Sequence, residues 1–400
     1  MSSFDGSYEA DVTPALSQLT TIAVGGPAAR LVAPAARDEL VETAREVWAS
    51  GEEWLLLGGG SNTVVADEGF DGTVVRVVTR GIERVDAAAD AGTRGTVRLR
   101  VQAGEPWDEL VAHTVEHGWS GIEALSGIPG SVGAAPVQNI GAYGQELADS
   151  LVGIEFLDYE TEEVLRLSAA ELELGYRSSA LKRGRWGVVL SIDLELANDT
   201  DADAAAAFGA PVAYAQLASA LGVALGERIP LAEVRQAVLR LRAAKGMLLS
   251  PDDPDSVSAG SFFTNPIVSD RFAATLPANA PRWPLEPDSD EPVIVPLENF
   301  VPGQLLARGA QAPGALQHHA EEGSVKLSAA WLIEHSGVTR GFSLPGSGAA
   351  ISSKHTLALV NRGWGTASDI AELARYVQSR VLNAFGVILQ PEPVLVGVHL

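Results

Sequence analysis

Cysteine is absent from the 400 residues. That excludes disulfides, thiolate nucleophiles, Cys-based zinc sites, iron–sulfur clusters and Cys-linked cofactors. Long apolar runs are also missing, and none approaches the ~20 residues of a membrane helix. The first residues, MSSFDGSYEADVTP, offer neither a basic n-region nor an apolar h-region, so no signal peptide is expected. Basic residues are scarce, 28 Lys+Arg against 51 Asp+Glu, which leaves a formal net charge of −23. Such a surface repels nucleic acid and anionic lipid and excludes both as main partners. Cytoplasmic residence is the expectation consistent with these absences.

Several motifs with known chemistry are missing too. There is no G-x-x-x-x-G-K-[ST], no G-x-S-x-G and no H-E-x-x-H, which excludes the P-loop, the nucleophile elbow and zincin hydrolysis. His113 and His117, near Glu116, read as a solvated helix face, and His318-His319 as surface. No metal site is expected.

Apolar residues are plentiful, 46% of the chain. At ~150 residues per domain the length predicts two or three domains. The spacing of Leu40, Val41, Ala44, Val47 and Trp48 predicts a helix capped by Asp38 and ended by Gly51. Trp54-Leu55-Leu56-Leu57 reads as a buried strand running into the turn Gly58-Gly59-Gly60-Ser61-Asn62. Alternation at Val97, Leu99 and Val101 predicts a half-buried strand. Trp107, Leu110, Val111 and Val115 give a helix stopped by Gly118. Residues 187–196 read as a strand and 198–208 as a low-complexity loop. Helices are expected after Pro230 and over 368–385.

Two glycine-rich segments call for one explanation. Gly58–Asn62 offers successive backbone N–H groups to an anion, with Ser61 and Asn62 adding donors. It fails G-x-G-x-x-G because Thr63 occupies the third glycine position. Residues 127–144 are small and apolar, with a few placed amides. Together the segments suit a dinucleotide with an apolar ring end; the alternative is a pair of tight turns between elements.

Leu19-Thr20-Thr21, the Gly58–Asn62 turn, and Ile128-Pro129-Gly130-Ser131-Val132-Gly133 running into Gln138-Asn139-Ile140-Gly141-Ala142-Tyr143-Gly144 narrow the choice. So do Gly175-Tyr176-Arg177-Ser178-Ser179, Ala259-Gly260-Ser261-Phe262-Phe263-Thr264-Asn265-Pro266, Ser324-Val325-Lys326-Leu327 and Gln390-Pro391-Glu392. In this order, over roughly residues 19–397, they resemble the UDP-N-acetylenolpyruvoylglucosamine reductase family.

The resemblance implies an α+β chain: an FAD-binding fold of the vanillyl-alcohol oxidase type, made of two α+β subdomains, plus a third α+β substrate-binding domain. The implied boundaries are a tail at 1–15, subdomain 1 at 16–82 with 391–400, subdomain 2 at 83–245, and the substrate domain at 246–390 with an insertion at 277–323. FAD would be non-covalent and NADPH the reductant. Cofactor contacts would come from Gly58, Gly59, Gly60, Ser61, Asn62, Thr63, Ile128, Gly133, Gln138, Asn139, Gly141, Ala142 and Tyr143. A monomer acting on a small sugar-nucleotide substrate is expected.

The implied reaction reduces an enolpyruvyl ether to UDP-N-acetylmuramate for peptidoglycan. Hydride comes from flavin N5, charge develops on the substrate carboxylate, and the adjacent carbon is protonated. Arg177 matches the family arginine that grips that charge, suited by a permanent, bidentate cation. Ser261 matches the proton donor and Glu392 the assisting carboxyl, which would need a pKa raised by burial. Tyr176, Tyr214, Lys245, Asn265 and Lys326 fall at substrate-contact positions. Two departures stand out: Thr264 replaces a common Lys, and Gln390 replaces a second acid. The competing readings are another oxidoreductase on the same FAD fold and a non-catalytic binder of sugar nucleotide or flavin.

Overall fold

In the computed structural model of the protein, residues 14–85, 95–198, 207–285 and 323–400 are described. Outside them lie residues 1–13 of the expected tail, 199–206 of the low-complexity loop, and 286–322 of the expected insertion with His318-His319. The described residues fall into two units. The larger draws on Met1–Phe262, Thr339–Arg375 and Glu392–Leu400, the smaller on Phe263–Val338 and Tyr376–Pro391.

In the larger unit a parallel sheet places Phe70–Arg76 between Ala28–Val32 and Trp54–Leu57. The helix Arg37–Ser50 makes the crossover between the two outer parallel strands, Ala28–Val32 and Trp54–Leu57. Its buried stripe is Leu40, Val41, Ala44 and Val47, and Gly51 closes it at φ +70°. Asp38 is not its cap. The helix starts before Asp38, and the Glu39 carboxylate accepts from the Ala35 and Ala36 N–H groups at 2.9 and 3.3 Å. A longer carboxylate reaches back over the first turn, which a residue already inside the helix replaces at the cap.

An antiparallel sheet runs in the order Val164–Ser168, Leu151–Asp158, Gly187–Asn198, Thr96–Gln102, Ile82–Arg84. Thr96–Gln102 alternates buried and half-buried as its sequence implies. The helix stripe, Val75 and Val77 share one core with these strands and with Trp107, Leu110 and Phe156. Each such side chain contributes about 1.5–3 kcal/mol by leaving water. Trp107 Nε1 also donates to the Leu125 carbonyl at 3.2 Å, tying the helix Trp107–Glu116 to the second glycine-rich segment.

Short 3-10 turns form just before that segment, Glu123–Leu125, and within it, Val132–Gln138. Asp108 accepts from the Gly127 N–H and pairs with Arg235 at 2.6 Å. The buried Arg242, on the helix Leu231–Ala244, donates to the Gly127 carbonyl at 3.0 Å. Near the C-terminus, Val394–Val396 pairs in parallel with Thr63–Val65, the strand that follows the first glycine turn.

The smaller unit has its own sheet, with Ser324–Leu327 antiparallel to both Ile267–Ser269 and Arg282–Pro284. Ser328 caps the helix Ala329–His335, and Trp331 packs on His335 and Phe385. Among the described residues no helix is long and apolar enough to cross a membrane.

Candidate active site

The two glycine-rich segments meet. A Cβ on Gly59 would fall 2.6 Å from the Gly130 Cα, and one on Gly58 2.4 Å from the Ser131 Oγ. One on Gly60 would fall 2.0 Å from the Leu19 carbonyl oxygen. Ser61 Oγ donates to the Pro129 carbonyl at 3.0 Å. The glycines therefore serve close backbone approach. Tight packing does not use up their donors, however. Among the described residues, the N–H groups of Gly58, Gly59, Gly60, Ser61 and Asn62 meet no protein acceptor. Successive unclaimed N–H groups on a strand-ending turn form an anion-binding concavity, which fits the pyrophosphate of a dinucleotide.

Asn62 connects this turn to the candidate chemistry. Its Nδ2 lies 3.2 Å from Gln138 Oε1 and 3.2 Å from the Glu392 carbonyl. The pairing of Val394 with Thr63 brings Glu392 there, and the Val394 N–H donates to the Asn62 carbonyl at 2.9 Å.

Arg177 and Glu392, far apart in sequence, form an ion pair, Nε to Oε1 at 3.2 Å. The rest of the guanidinium is aimed by backbone: one amino group reaches the Asn139 carbonyl at 3.3 Å and the other the Gly141 carbonyl at 3.1 Å. Its Cζ also lies 5.7 Å from the centre of the Tyr176 ring. Burial pushes the Glu392 carboxyl up from its ordinary value, against the opposing pull of Arg177 and Lys182. Ser261 is one peptide from Phe262, whose carbonyl accepts the Glu392 N–H at 2.9 Å. Among the described residues the Ser261 hydroxyl has no protein partner.

Backbone strain concentrates here. Asn139, Tyr143 and Arg177 take φ of +44°, +50° and +52°. A left-handed residue of this kind costs about 1–2 kcal/mol, and such outliers gather where surrounding structure holds a site open for use. The buried Asn139 is held on three sides, by Glu146 Oε2 at 2.8 Å, the Gly175 carbonyl at 3.3 Å and the Ala148 N–H at 3.0 Å.

The hairpin of Gly141–Ala142 and Gln145–Glu146 links this pair to a second group. At its turn Tyr143 meets Tyr214 edge to face, with ring centres 6.0 Å apart. Lys245 Nζ sits 5.4 Å from the Tyr143 ring centre and donates to Gln216 Oε1 at 2.9 Å. Burial lowers the Lys245 ammonium, with Arg242 adding to the effect. Tyr214 is exposed, at the start of the helix Ala215–Leu221. Asn265 and Lys326 belong to the smaller unit. There Asn265 Oδ1 accepts the Ala329 N–H at 2.9 Å, and Lys326 pairs across strands with Ile267 and Trp283.

Sequence reasoning missed Lys182. Its Nζ donates to the Arg177 carbonyl at 3.1 Å. The available signal was Ser179 three residues earlier, which accepts the Lys182 N–H and fixes a turn there.

Comparison with known proteins bears on this geometry. Residues 252–396 match the family model described as UDP-N-acetylenolpyruvoylglucosamine reductase, C-terminal domain, and residues 28–168 match an FAD binding domain. The chain is 61% identical over 388 residues to the UDP-N-acetylenolpyruvoylglucosamine reductase of Leifsonia xyli, covering 97% of this chain and 99% of that one. It is 45% identical to the enzyme of that name from Salinispora arenicola, over 96% and 94% of the two chains. Its fold is similar to the crystal structure of UDP-N-acetylenolpyruvylglucosamine reductase from Thermus caldophilus, with a TM-score of 0.58 at 24% identity, over 96% and 97% of the chains.

Proposed function

The chain belongs to the UDP-N-acetylenolpyruvoylglucosamine reductase family, and from that premise we propose that it reduces the enolpyruvyl ether of UDP-N-acetylglucosamine enolpyruvate to UDP-N-acetylmuramate. FAD, held without a covalent link, supplies the hydride when bound, and NADPH supplies the reducing equivalents. The lack of cysteine, and of histidine in both glycine-rich segments, supports the non-covalent link. The N–H groups of Gly58–Asn62 suit the pyrophosphate, Gln138 is joined to that turn through Asn62, and Gly133, Asn139, Gly141, Ala142 and Tyr143 are assigned to the rest of the cofactor.

One observation carries the reading: the Arg177 guanidinium, aimed by two carbonyls, pairs with the raised Glu392 carboxyl beside the glycine turn, where Asn62 reaches the Glu392 carbonyl. Hydride addition to the terminal carbon leaves an enol-like carboxylate. Arg177, already oriented by two carbonyls, stabilises the charge as it develops without reorganising. Glu392 holds its proton more firmly than an ordinary carboxyl and hydrogen-bonds the same carboxylate. The Ser261 hydroxyl delivers the proton to the adjacent carbon. Tyr176 and Tyr214 contact the sugar nucleotide, and the Lys245 cation its diphosphate. With a screening length of about 8 Å at physiological salt, that local cation prevails over the net charge.

The test is purification and turnover. The protein should release a yellow chromophore on denaturation and oxidise NADPH only when the enolpyruvyl substrate is present. A colourless protein that takes up no FAD, or oxygen consumption driven by substrate without NADPH, defeats the reading.

A further inference from the structure

Lys182 stands five residues after Arg177 on a turn that is firmly held. The buried Ser179 anchors the turn, donating its hydroxyl to the Val137 carbonyl at 2.6 Å and accepting the Lys182 N–H at 3.0 Å. Arg183, next along the chain, is engaged elsewhere, with the Ser178 hydroxyl at 2.8 Å and the Glu173 carboxylate. The Lys182 ammonium instead turns back onto the carbonyl of Arg177 at 3.1 Å.

That carbonyl belongs to a residue in the left-handed region, φ +52°. Arginine has none of glycine's freedom there, so something must hold the conformation. The guanidinium's three contacts, to Asn139, Gly141 and Glu392, depend on it. A carbonyl bound to an ammonium is fixed by a charge-assisted bond, about twice as strong as a neutral one. The same ammonium stands within the electrostatic reach of Glu392.

We propose that Lys182 is a positioning residue for the reduction: it pins the Arg177 backbone so that the guanidinium stays on Glu392. The proposal rests on the roles given above to Arg177 and Glu392. The charged groups around the pair are Arg177 and Lys182 on this turn, Arg183 beside them, and Glu146, reached through Asn139. Of these, Arg177 and Lys182 act directly on Glu392.

The experiment compares holoenzyme carrying Lys182→Met, Lys182→Arg or Glu392→Gln. The pH profile of kcat is measured for each, and the Glu392 carboxyl is followed by infrared titration as the signal missing in Glu392→Gln. Lys182→Met should lower kcat about tenfold with KM little changed, as expected for lost alignment. Losing a cation makes ionisation harder, so the limb and infrared signal of Glu392 should both move to higher pH. Lys182→Arg should return both toward wild type. Wild-type kcat and titration in Lys182→Met, or equal loss of kcat and melting temperature in both lysine variants, would overturn the proposal. Full activity in Glu392→Gln would instead refute the roles on which it rests.

Discussion

Gly59→Ala isolates what the glycine turn contributes to FAD binding. The added methyl would sit 2.6 Å from the Gly130 Cα and 2.8 Å from its carbonyl carbon. Carbon atoms settle at about 3.5–4 Å, so the two backbones must part by about 1 Å. No flexible side chain can yield at that spot, because both atoms are main chain. Overpacking of this kind costs about 1–3 kcal/mol. The displaced turn is the one whose N–H groups are unclaimed, so the cost should appear as weaker FAD binding, about 5- to 150-fold in Kd. Gly51→Ala is the control. Gly51 has φ +70° with nothing within 4 Å of an added Cβ. Its replacement should lose about 1–2 kcal/mol of stability through left-handed strain, with FAD affinity unchanged. Flavin-fluorescence titration of the apoprotein and thermal melts of both variants separate the effects. Wild-type FAD affinity in Gly59→Ala would refute the reasoning.

Three further outcomes follow from the site. Arg177→Lys keeps one charge but loses the planar fork that reaches Asn139, Gly141 and Glu392 together; kcat/KM for the enolpyruvyl substrate should fall about 10²–10³-fold, with bound FAD unchanged on absorbance. Ser261→Ala should lower kcat about 10²–10⁴-fold yet leave reduction of the bound flavin by NADPH at its wild-type rate in stopped-flow measurements. Glu392→Gln should flatten the pH dependence of stability: a carboxyl whose pKa is raised in the folded state stabilises the fold at low pH and loses that contribution as pH climbs through the raised value. Melting temperatures between acid and neutral pH should therefore show wild type gaining on Glu392→Gln as the pH falls, and a constant difference would contradict the burial argument.

The parts of this molecule that depend on near neighbours were legible in its sequence. The strand Trp54–Leu57 forms, but only Leu57 is buried where the sequence implies burial throughout, its other residues being half-buried; the buried stripe of Arg37–Ser50 and the alternation in Thr96–Gln102 follow from spacing alone. The cap of the first helix did not, because Asp38 and Glu39 are both plausible donors of a carboxylate and only the backbone path selects Glu39. Nor could spacing show that Arg177 adopts φ +52°, since arginine, unlike glycine or asparagine, does not favour that conformation. Lys182 was hidden too, because its bond to the Arg177 carbonyl depends on the path of the turn rather than on spacing. The elevated Glu392 carboxyl needed Val394 to pair with Thr63, a short parallel ladder with no local signature.

The use of lysine ties these observations together. The chain has four lysines among its 28 basic residues, so arginine is its default cation. Arginines answer carboxylates with a planar fork, as Arg37 does with Glu155, Arg100 with Asp193 and Arg235 with Asp108. Two of the described lysines are placed differently, Lys182 on a single carbonyl and Lys245 over a ring face, while Lys354 pairs with Asp253 and Lys326 lies on a strand. A compact ammonium suits a single acceptor or a ring, where a guanidinium's extra donors would go unmatched. Replacing Lys245 with arginine should therefore weaken substrate binding more than an exchange of equal charges implies, with a KM raised severalfold in steady-state assays. An unchanged KM would mean that only the charge matters at that position, and the argument from lysine scarcity would fail with it.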